Sequence, residues 1–163
     1  MHTLGVLLAG GRGSRLGAGR AKALVECAGV TLLERARLLV DALCDELVVI
    51  APADMLLPLA AGERLDDPPN VAGPLPAMIA GLRSREHDEA LVLAVDLPLL
   101  DADTLARLRA RRGDTLAAIA RPGGVAQPLA AWYSGRAHER LGAGLAAGRH
   151  SARRRCMTQR LRC

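Results

Sequence analysis

The sequence has no phenylalanine, one tryptophan and one tyrosine. Recognition of single-stranded nucleic acid rests on aromatic platforms for the bases, so nucleic acid is not an expected partner. A core must be built from leucine, valine and alanine, and half of the 163 residues are hydrophobic, enough for one domain. Long apolar runs are missing too. None approaches the roughly 18 residues of a membrane span, so no membrane association is expected. The first run, Leu4 to Ala9, is too short for a signal peptide. Cysteine occurs four times, at Cys27, Cys44, Cys156 and Cys163, without CxxC spacing or paired histidines, which argues against zinc. Free thiols in a reducing cytoplasm are the simplest expectation.

Lysine is nearly absent as well. Of 22 basic residues only Lys22 is lysine; the rest are arginine. The formal net charge is +5, but Arg153, Arg154, Arg155, Arg160 and Arg162 crowd the end of the chain. The excess therefore reads as a solvated basic tail rather than a nucleic-acid surface.

What is present is concentrated in residues 3 to 22. The apolar run feeds glycines at positions 10, 11, 13, 17 and 19, with Arg12, Arg15 and Arg20 among them and Lys22 at the end. Glycine lets backbone N–H groups approach a phosphate closely. Lysine is a compact point charge suited to a phosphate whose geometry changes in a reaction. Strand, loop and cation together predict a phosphate site at the carboxyl edge of an α/β sheet.

Further along, Thr31 and Glu34 form a capping box for a helix carrying Leu32, Leu33, Ala36, Leu39, Val40 and Leu43. Leu47 to Ala51 reads as a strand stopped by Pro52. Residues 54 to 61 predict one or two helical turns, and Arg64-Leu65-Asp66 a short strand. Gly73-Pro74 starts a helix facing inward with Leu75, Met78, Ile79 and Leu82. Ala90 to Val95 is the most apolar strand, ended by Asp96. Asp101 or Asp103 caps a helix through Arg112. Thr115 to Ala120 and Val125 to Tyr133 are strands, the second interrupted by Pro128. Residues 135 to 147 are helical, and the basic segment from Ser151 begins as helix. Alternating strands and helices predict a parallel sheet with helices on both faces.

In such a fold Asp66 and Asp96 meet the glycine loop at one edge. Asp96, at the mouth of an apolar strand, suits a Mg²⁺ ion that takes one or two carboxylates plus substrate phosphates. Two familiar loops fit poorly. Lys22 lies between Ala21 and Ala23, unlike a Walker loop, and Gly11-Arg12-Gly13 is followed by Gly17, one residue late for a dinucleotide fingerprint.

Leu8-Ala9-Gly10-Gly11-Arg12-Gly13-Ser14-Arg15-Leu16-Gly17 and Lys22 resemble the signature of nucleotidyltransferases with a glycosyltransferase-A-like α/β fold. Gly73-Pro74-Leu75 with Gly81-Leu82, then Val95-Asp96-Leu97-Pro98, then Gln127 to Trp132, are similar to the molybdenum cofactor guanylyltransferase (MobA-like) family. The resemblance implies one Rossmann-like, three-layer, mostly parallel domain over residues 1–163, with a shortened basic end at 149–163. It implies a nucleotide cradle at Leu8, Ala9, Gly10 and Gly11, and a phosphate loop at Gly13 and Arg15. Lys22 would bind phosphate, Asp66 would make a second nucleotide contact, and Asp96 would hold Mg²⁺. The catalytic set would be Lys22, Arg15 and Asp96. The implied donor is GTP or another NTP, the acceptor a phosphorylated pterin, and the product pyrophosphate. The pattern differs at Ala21, where the family has an acid, and at Ala51, where it often has asparagine. The family's later strand and Asn-rich acceptor segment have no counterpart before Cys163. A non-catalytic nucleotide-binding remnant, or transfer of CMP or AMP to another acceptor, stays open. Nothing in the pattern bears on oligomeric state.

Overall fold

The first apolar run becomes β1 (Thr3–Leu8), and its alternation divides the molecule into layers. Successive side chains of a strand point to opposite faces. Leu4, Val6 and Leu8 enter one buried cluster, while Leu7, with Ala9 just beyond, enters another. The structure, a computed structural model, describes residues 1–10, 21–69 and 73–147. The loop from Gly11 to Arg20 and the segment from Ser151 lie outside the described residues.

In chain order β1 is followed by a small hairpin, β2 (Glu26–Cys27) and β3 (Val30–Thr31), then α1 (Leu32–Asp41), β4 (Glu46–Ala51), β5 (Arg64–Asp66), α2 (Pro74–Arg83), β6 (Glu89–Ala94), α3 (Ala102–Ala110), β7 (Ala117–Ala120), β8 (Gln127–Ser134) and α4 (Ala137–Ala146). Six strands form one sheet in the order β5-β4-β1-β6-β8-β7. β5, β4, β1 and β6 run parallel, and β8 runs against both β6 and β7. The alternating pattern suggested a parallel sheet and the family resemblance a mostly parallel one, and a mostly parallel one forms, with β8 antiparallel. The exception has a plain cause: β7 and β8 are joined by a short turn at Pro122–Gly124, with Gly123 and Gly124 at φ 59 and 81. A parallel crossover needs a dozen residues or more, whereas antiparallel neighbours need only a turn. Pro128 sits where the β7–β8 register slips between Ile119 and Ala120, which spares the ladder a missing donor.

The two clusters give the three layers. Leu75, Met78, Ile79 and Leu82 of α2 and Leu141 of α4 cover one face, and Leu33, Ala36 and Val40 of α1 and Leu105 of α3 the other. Two glycines set how closely helices approach. A Cβ at Gly5 would collide with Val40, and one at Gly81 with Val6 and Ile50. The two aromatic residues are consecutive and therefore serve opposite layers. Tyr133 joins the α2 side and Trp132 the α1 side. Each polar tip finds a backbone carbonyl, Trp132 Nε1 donating to Leu105 (2.9 Å) and Tyr133 Oη to Pro128 (2.8 Å).

The caps form as the sequence specifies. Thr31 and Glu34 close a capping box on α1, and Asp101 accepts from the Thr104 N–H at 2.6 Å on α3. The helical turns expected at 54–61 do not form. Met55, Leu57 and Leu59 pack into the second cluster while Leu56 is 88% exposed, the two-residue period of extended chain. Pro58 removes a donor and disfavours the α conformation at Leu57. The freed carbonyls of Pro52 and Met55 accept from Arg64, each at 2.6 Å.

Glu89 opens β6 almost fully buried, at 5% exposure, and accepts from Arg109 at 2.8 Å and from Arg112. Burial works against its charge, but the two guanidinium groups outweigh burial and hold the carboxyl below the usual glutamate range. Arg109 also lies over the Trp132 ring, 4.7 Å from its centre. Breaking such a cluster leaves two cations without their partner, at a cost of roughly 3 kcal/mol. Glu89→Gln is therefore expected to lower stability by about that amount near neutral pH in urea denaturation. Because the native pKa is depressed, the stabilisation is complete above the ordinary glutamate pKa and disappears as pH falls through the native value. The difference between wild type and variant should accordingly vanish in acid.

Candidate functional site

The parallel strands β1, β4, β5 and β6 all end on one edge of the sheet, which gathers Gly10, Asp67 and Asp96 around a pocket of about 480 Å³. Leu8, Ile50 and Leu129 supply apolar wall. Ala9 is fully buried and donates to the Ile50 carbonyl at 2.8 Å, which fixes the chain as it enters Gly10. The Val95 N–H donates to the Leu8 carbonyl at 3.3 Å, carrying the β6 pairing one residue beyond the strand and setting Asp96 over the pocket.

Lys22 reaches the same place from a different direction. It opens a single 3-10 turn, Lys22–Leu24, whose Ala23 is fully buried. The turn is tied back by the β2–β3 hairpin. Ala28 and Gly29 both have positive φ, 53 and 77, as a tight two-residue hairpin turn requires. The Leu32 N–H then donates to the Val25 carbonyl at 2.9 Å. The result is an ion pair across 74 residues of sequence: Lys22 Nζ lies 2.7 Å from Asp96 Oδ2, with side chains 36% and 43% exposed.

α2 points its amino end at this pocket, with Gly73 at φ 94 as N-cap. A helix amino end carries partial positive charge and free N–H groups. Pro74 and Pro76 remove two of these donors, leaving those of Gly73 and Leu75 at the helix start.

Asp66 and Asp67 part company at the end of β5. Asp66 is turned to Arg64 at 3.0 Å and its side chain is 63% exposed. The pocket carboxylate here is Asp67, whose N–H donates to the Ala51 carbonyl at 2.9 Å. Adjacent residues leaving a strand face opposite ways, so one position decides which carboxylate turns inward. Burial pushes the Asp67 carboxyl above the usual aspartate range. Its Oδ2 would lie 3.4 Å from a Cβ at Gly10, so the two chain segments meet at van der Waals distance. Ala51, where asparagine was the family expectation, is fully buried and adds nothing polar.

Of the residues expected at the site, Leu8, Gly10, Lys22 and Asp96 line one pocket and Ala9 anchors it from behind. Gly11, Gly13 and Arg15 lie outside the described residues. Asp67 was the residue missed; its signal was its place one step beyond a strand-ending Asp66. The donor set bears on a metal. Among the described residues no three His, Cys, Asp or Glu groups are arranged to hold an ion. Asp96 alone, open to a pocket, fits Mg²⁺, which keeps waters and takes its other ligands from substrate phosphates. A larger, more open cleft of about 770 Å³ at the opposite edge mixes His87, Arg83, Glu86 and Asp88. No helix among the described residues is long and apolar enough to cross a membrane.

A mostly parallel three-layer sheet, with a glycine-led pocket, a lysine and a carboxylate at its carboxyl edge, is the architecture of a nucleotidyltransferase-type domain. The chain belongs to the MobA-like NTP transferase domain family, whose model matches residues 5–162. It is 39% identical over 127 residues to a molybdenum cofactor guanylyltransferase of Pseudomonas putida KT2440, covering 76% of this chain and 66% of the relative. It thus spans slightly less than two thirds of that relative's length. Two solved structures share the fold. The molybdopterin-guanine dinucleotide biosynthesis protein A of Archaeoglobus fulgidus superposes with a TM-score of 0.69 at 22% identity, over 91% of this chain and 75% of that one. The 2-C-methyl-D-erythritol 4-phosphate cytidylyltransferase of Thermus thermophilus does so with 0.69 at 19% identity, over 93% and 80%.

The raised Asp67 pKa means that the native state holds its proton more tightly than the unfolded chain does. The native state is then penalised as pH rises through the aspartate range, and the penalty persists at neutral pH. Asp67→Asn should raise stability near neutral pH by less than about 1 kcal/mol. That gain should shrink to nothing below the ordinary aspartate pKa, as thermal melts across the acid range would show.

Proposed function

We propose that this chain is a Mg²⁺-dependent nucleotidyltransferase that moves GMP from GTP onto a phosphorylated pterin acceptor, molybdopterin, and releases pyrophosphate. The observation that carries the proposal is the meeting of Lys22 and Asp96 in one pocket beside Gly10. The relatives' printed activity supplies the donor and acceptor. Cytoplasmic residence belongs to the same proposal.

An acceptor phosphate attacks the α-phosphate of the donor in this scheme, and little covalent work falls to the protein. Its task is to place two anions in line and to neutralise charge as pyrophosphate departs. Lys22 supplies a mobile positive charge to the leaving phosphates, with Arg15 assigned beside it. Gly10 lets the nucleotide approach the backbone without a Cβ in the way. Asp67 accepts hydrogen bonds from the nucleoside, and the α2 amino end contributes the Gly73 and Leu75 N–H groups to the anionic side. Asp96 would hold Mg²⁺, which when bound would supply positive charge to screen the phosphates. No side chain is needed as a general base, since the attacking phosphate is already ionised.

A thermal-shift screen of the four NTPs with Mg²⁺ tests the donor. GTP is expected to stabilise most, by about 2.7 kcal/mol at a hundred times its Kd. Equal shifts for all four would remove guanine preference from the proposal. Lys22→Ala is expected to cut turnover about a hundredfold or more, as loss of one transition-state donor does. Lys22→Arg should recover only part, because a planar fork does not replace a compact charge. Pyrophosphate release measured with both variants decides this, and near-normal turnover in Lys22→Ala would remove its role. Asp96→Asn should abolish the Mg²⁺ dependence of that release with the fold unchanged by circular dichroism.

A further inference from the structure

Asp96 is the carboxylate that the proposed function gives to a metal ion, and the Lys22 ammonium already stands on its Oδ2 at 2.7 Å. A carboxylate carries one negative charge over its two oxygens, so an ammonium already seated on it weakens its hold on a second cation. We infer that Lys22 is a built-in competitor for the metal, so that Asp96 takes a divalent ion well only when nucleotide phosphates draw the ammonium away. This rests on the assignment of Asp96 as the metal ligand and adds a rule for how the site fills.

The geometry favours such an exchange. Both side chains are more than a third exposed, so the pair is held loosely enough to part. Asp96 has no other basic partner in the described pocket, whose remaining charged group is Asp67. Asp67 adds negative potential there and attracts either cation without choosing between them. Lys22 rides on one 3-10 turn with a flexible four-carbon stem, so its ammonium can swing without moving the backbone. A polyphosphate offers the ammonium more negative charge than one carboxylate does. When the phosphates take the ammonium, Asp96 is exposed to the ion those phosphates carry. Metal and nucleotide therefore assist each other, and by linkage the assistance is equal in both directions. A free divalent ion meets an occupied carboxylate and binds weakly, which keeps the site from filling with metal alone.

Lys22 is the sole lysine of the chain, which makes the competition directly observable. Protein labelled with ¹³C at lysine Cε gives one side-chain signal from the whole molecule. Titration with Mg²⁺ alone should move that signal in the wild type, and Asp96→Asn should leave it still throughout. Calorimetry with Mn²⁺ alone should show Lys22→Met binding up to about fivefold more tightly than wild type, the worth of an exposed pair. Nucleotide added before Mn²⁺ should erase that advantage. If Lys22→Met binds Mn²⁺ no more tightly while Asp96→Asn abolishes binding, Asp96 holds metal without competition and the inference is overturned. A lysine signal unmoved by Mg²⁺ in the wild type, together with tighter binding by Lys22→Met, would reduce Lys22 to a distant charge and also overturn it. If Asp96→Asn binds Mn²⁺ as wild type does, the metal assignment itself fails, a distinct result that removes the foundation of the competition.

Discussion

β1 pairs with β4 on one side and β6 on the other along almost its whole length. Leu8 stands opposite Ile50 in one neighbour and opposite Ala94 in the other. Gly10 and Asp96 are then each two residues past the same rung, so glycine and carboxylate arrive at the same height above the sheet. A shift of one residue would turn every side chain of a strand to the wrong face. Here it would take Leu4, Val6 and Leu8 out of their cluster and swing Asp96 off the pocket. Burial on both faces of β1 therefore fixes the site as firmly as it fixes the core.

With so little aromatic volume, the molecule relies on close approach. Gly5 lets α1 come down onto β1, and Gly81 lets α2 do the same from the other side. Short distances raise packing density where large side chains are lacking. The one bulky pair, Trp132 and Tyr133, is spent on β8, where the sheet changes direction and α3 covers the Trp132 side. Because the two are consecutive on a strand, each layer receives one. α2 connects this packing to the pocket: its carboxyl half buries Ile79 and Leu82, while its amino end faces the site.

Much of this was legible in the sequence because local chemistry decided it. Thr31 with Glu34, Asp101 with Thr104, and Gly73 with Pro74 each mark a helix start, and each does so in the structure. The apolar runs became buried strands for the same reason. Three features were not legible, because each depends on contacts distant in sequence. The extended path of Met55 to Leu59 is held by Arg64, whose guanidinium takes carbonyls that a helix would have used. The short Pro122–Gly124 turn sends β8 back along β7, but its place against β6 depends on which strand it finds. The Asp-Asp run past β5 offers two carboxylates, and which of them faces the pocket is settled by the bond of the Asp67 N–H to the Ala51 carbonyl. At the site itself, Leu8, Gly10, Lys22 and Asp96 were legible from the motif; their convergence needed the register.

The near-exclusion of lysine acquires a physical meaning once the arginines are seen in place. Arg37 grips Glu63 through two nitrogens, at 2.8 and 2.6 Å. Arg35 places two nitrogens on the Cys27 carbonyl, and Arg112 joins Glu89 to the Thr115 carbonyl. Arg64 spans Pro52, Met55 and Asp66. In each of these the planar fork makes two or more bonds to fixed acceptors and ties one segment to another. A group that locks is unsuited to a pocket where its partner must change. At Lys22 the cation meets Asp96 on a stem that can rotate. Arginine at that point could span Asp96 and a neighbouring carbonyl at once, raising the cost of releasing the carboxylate. The chain thus uses one kind of cation to hold its structure and the other where a charge has to move.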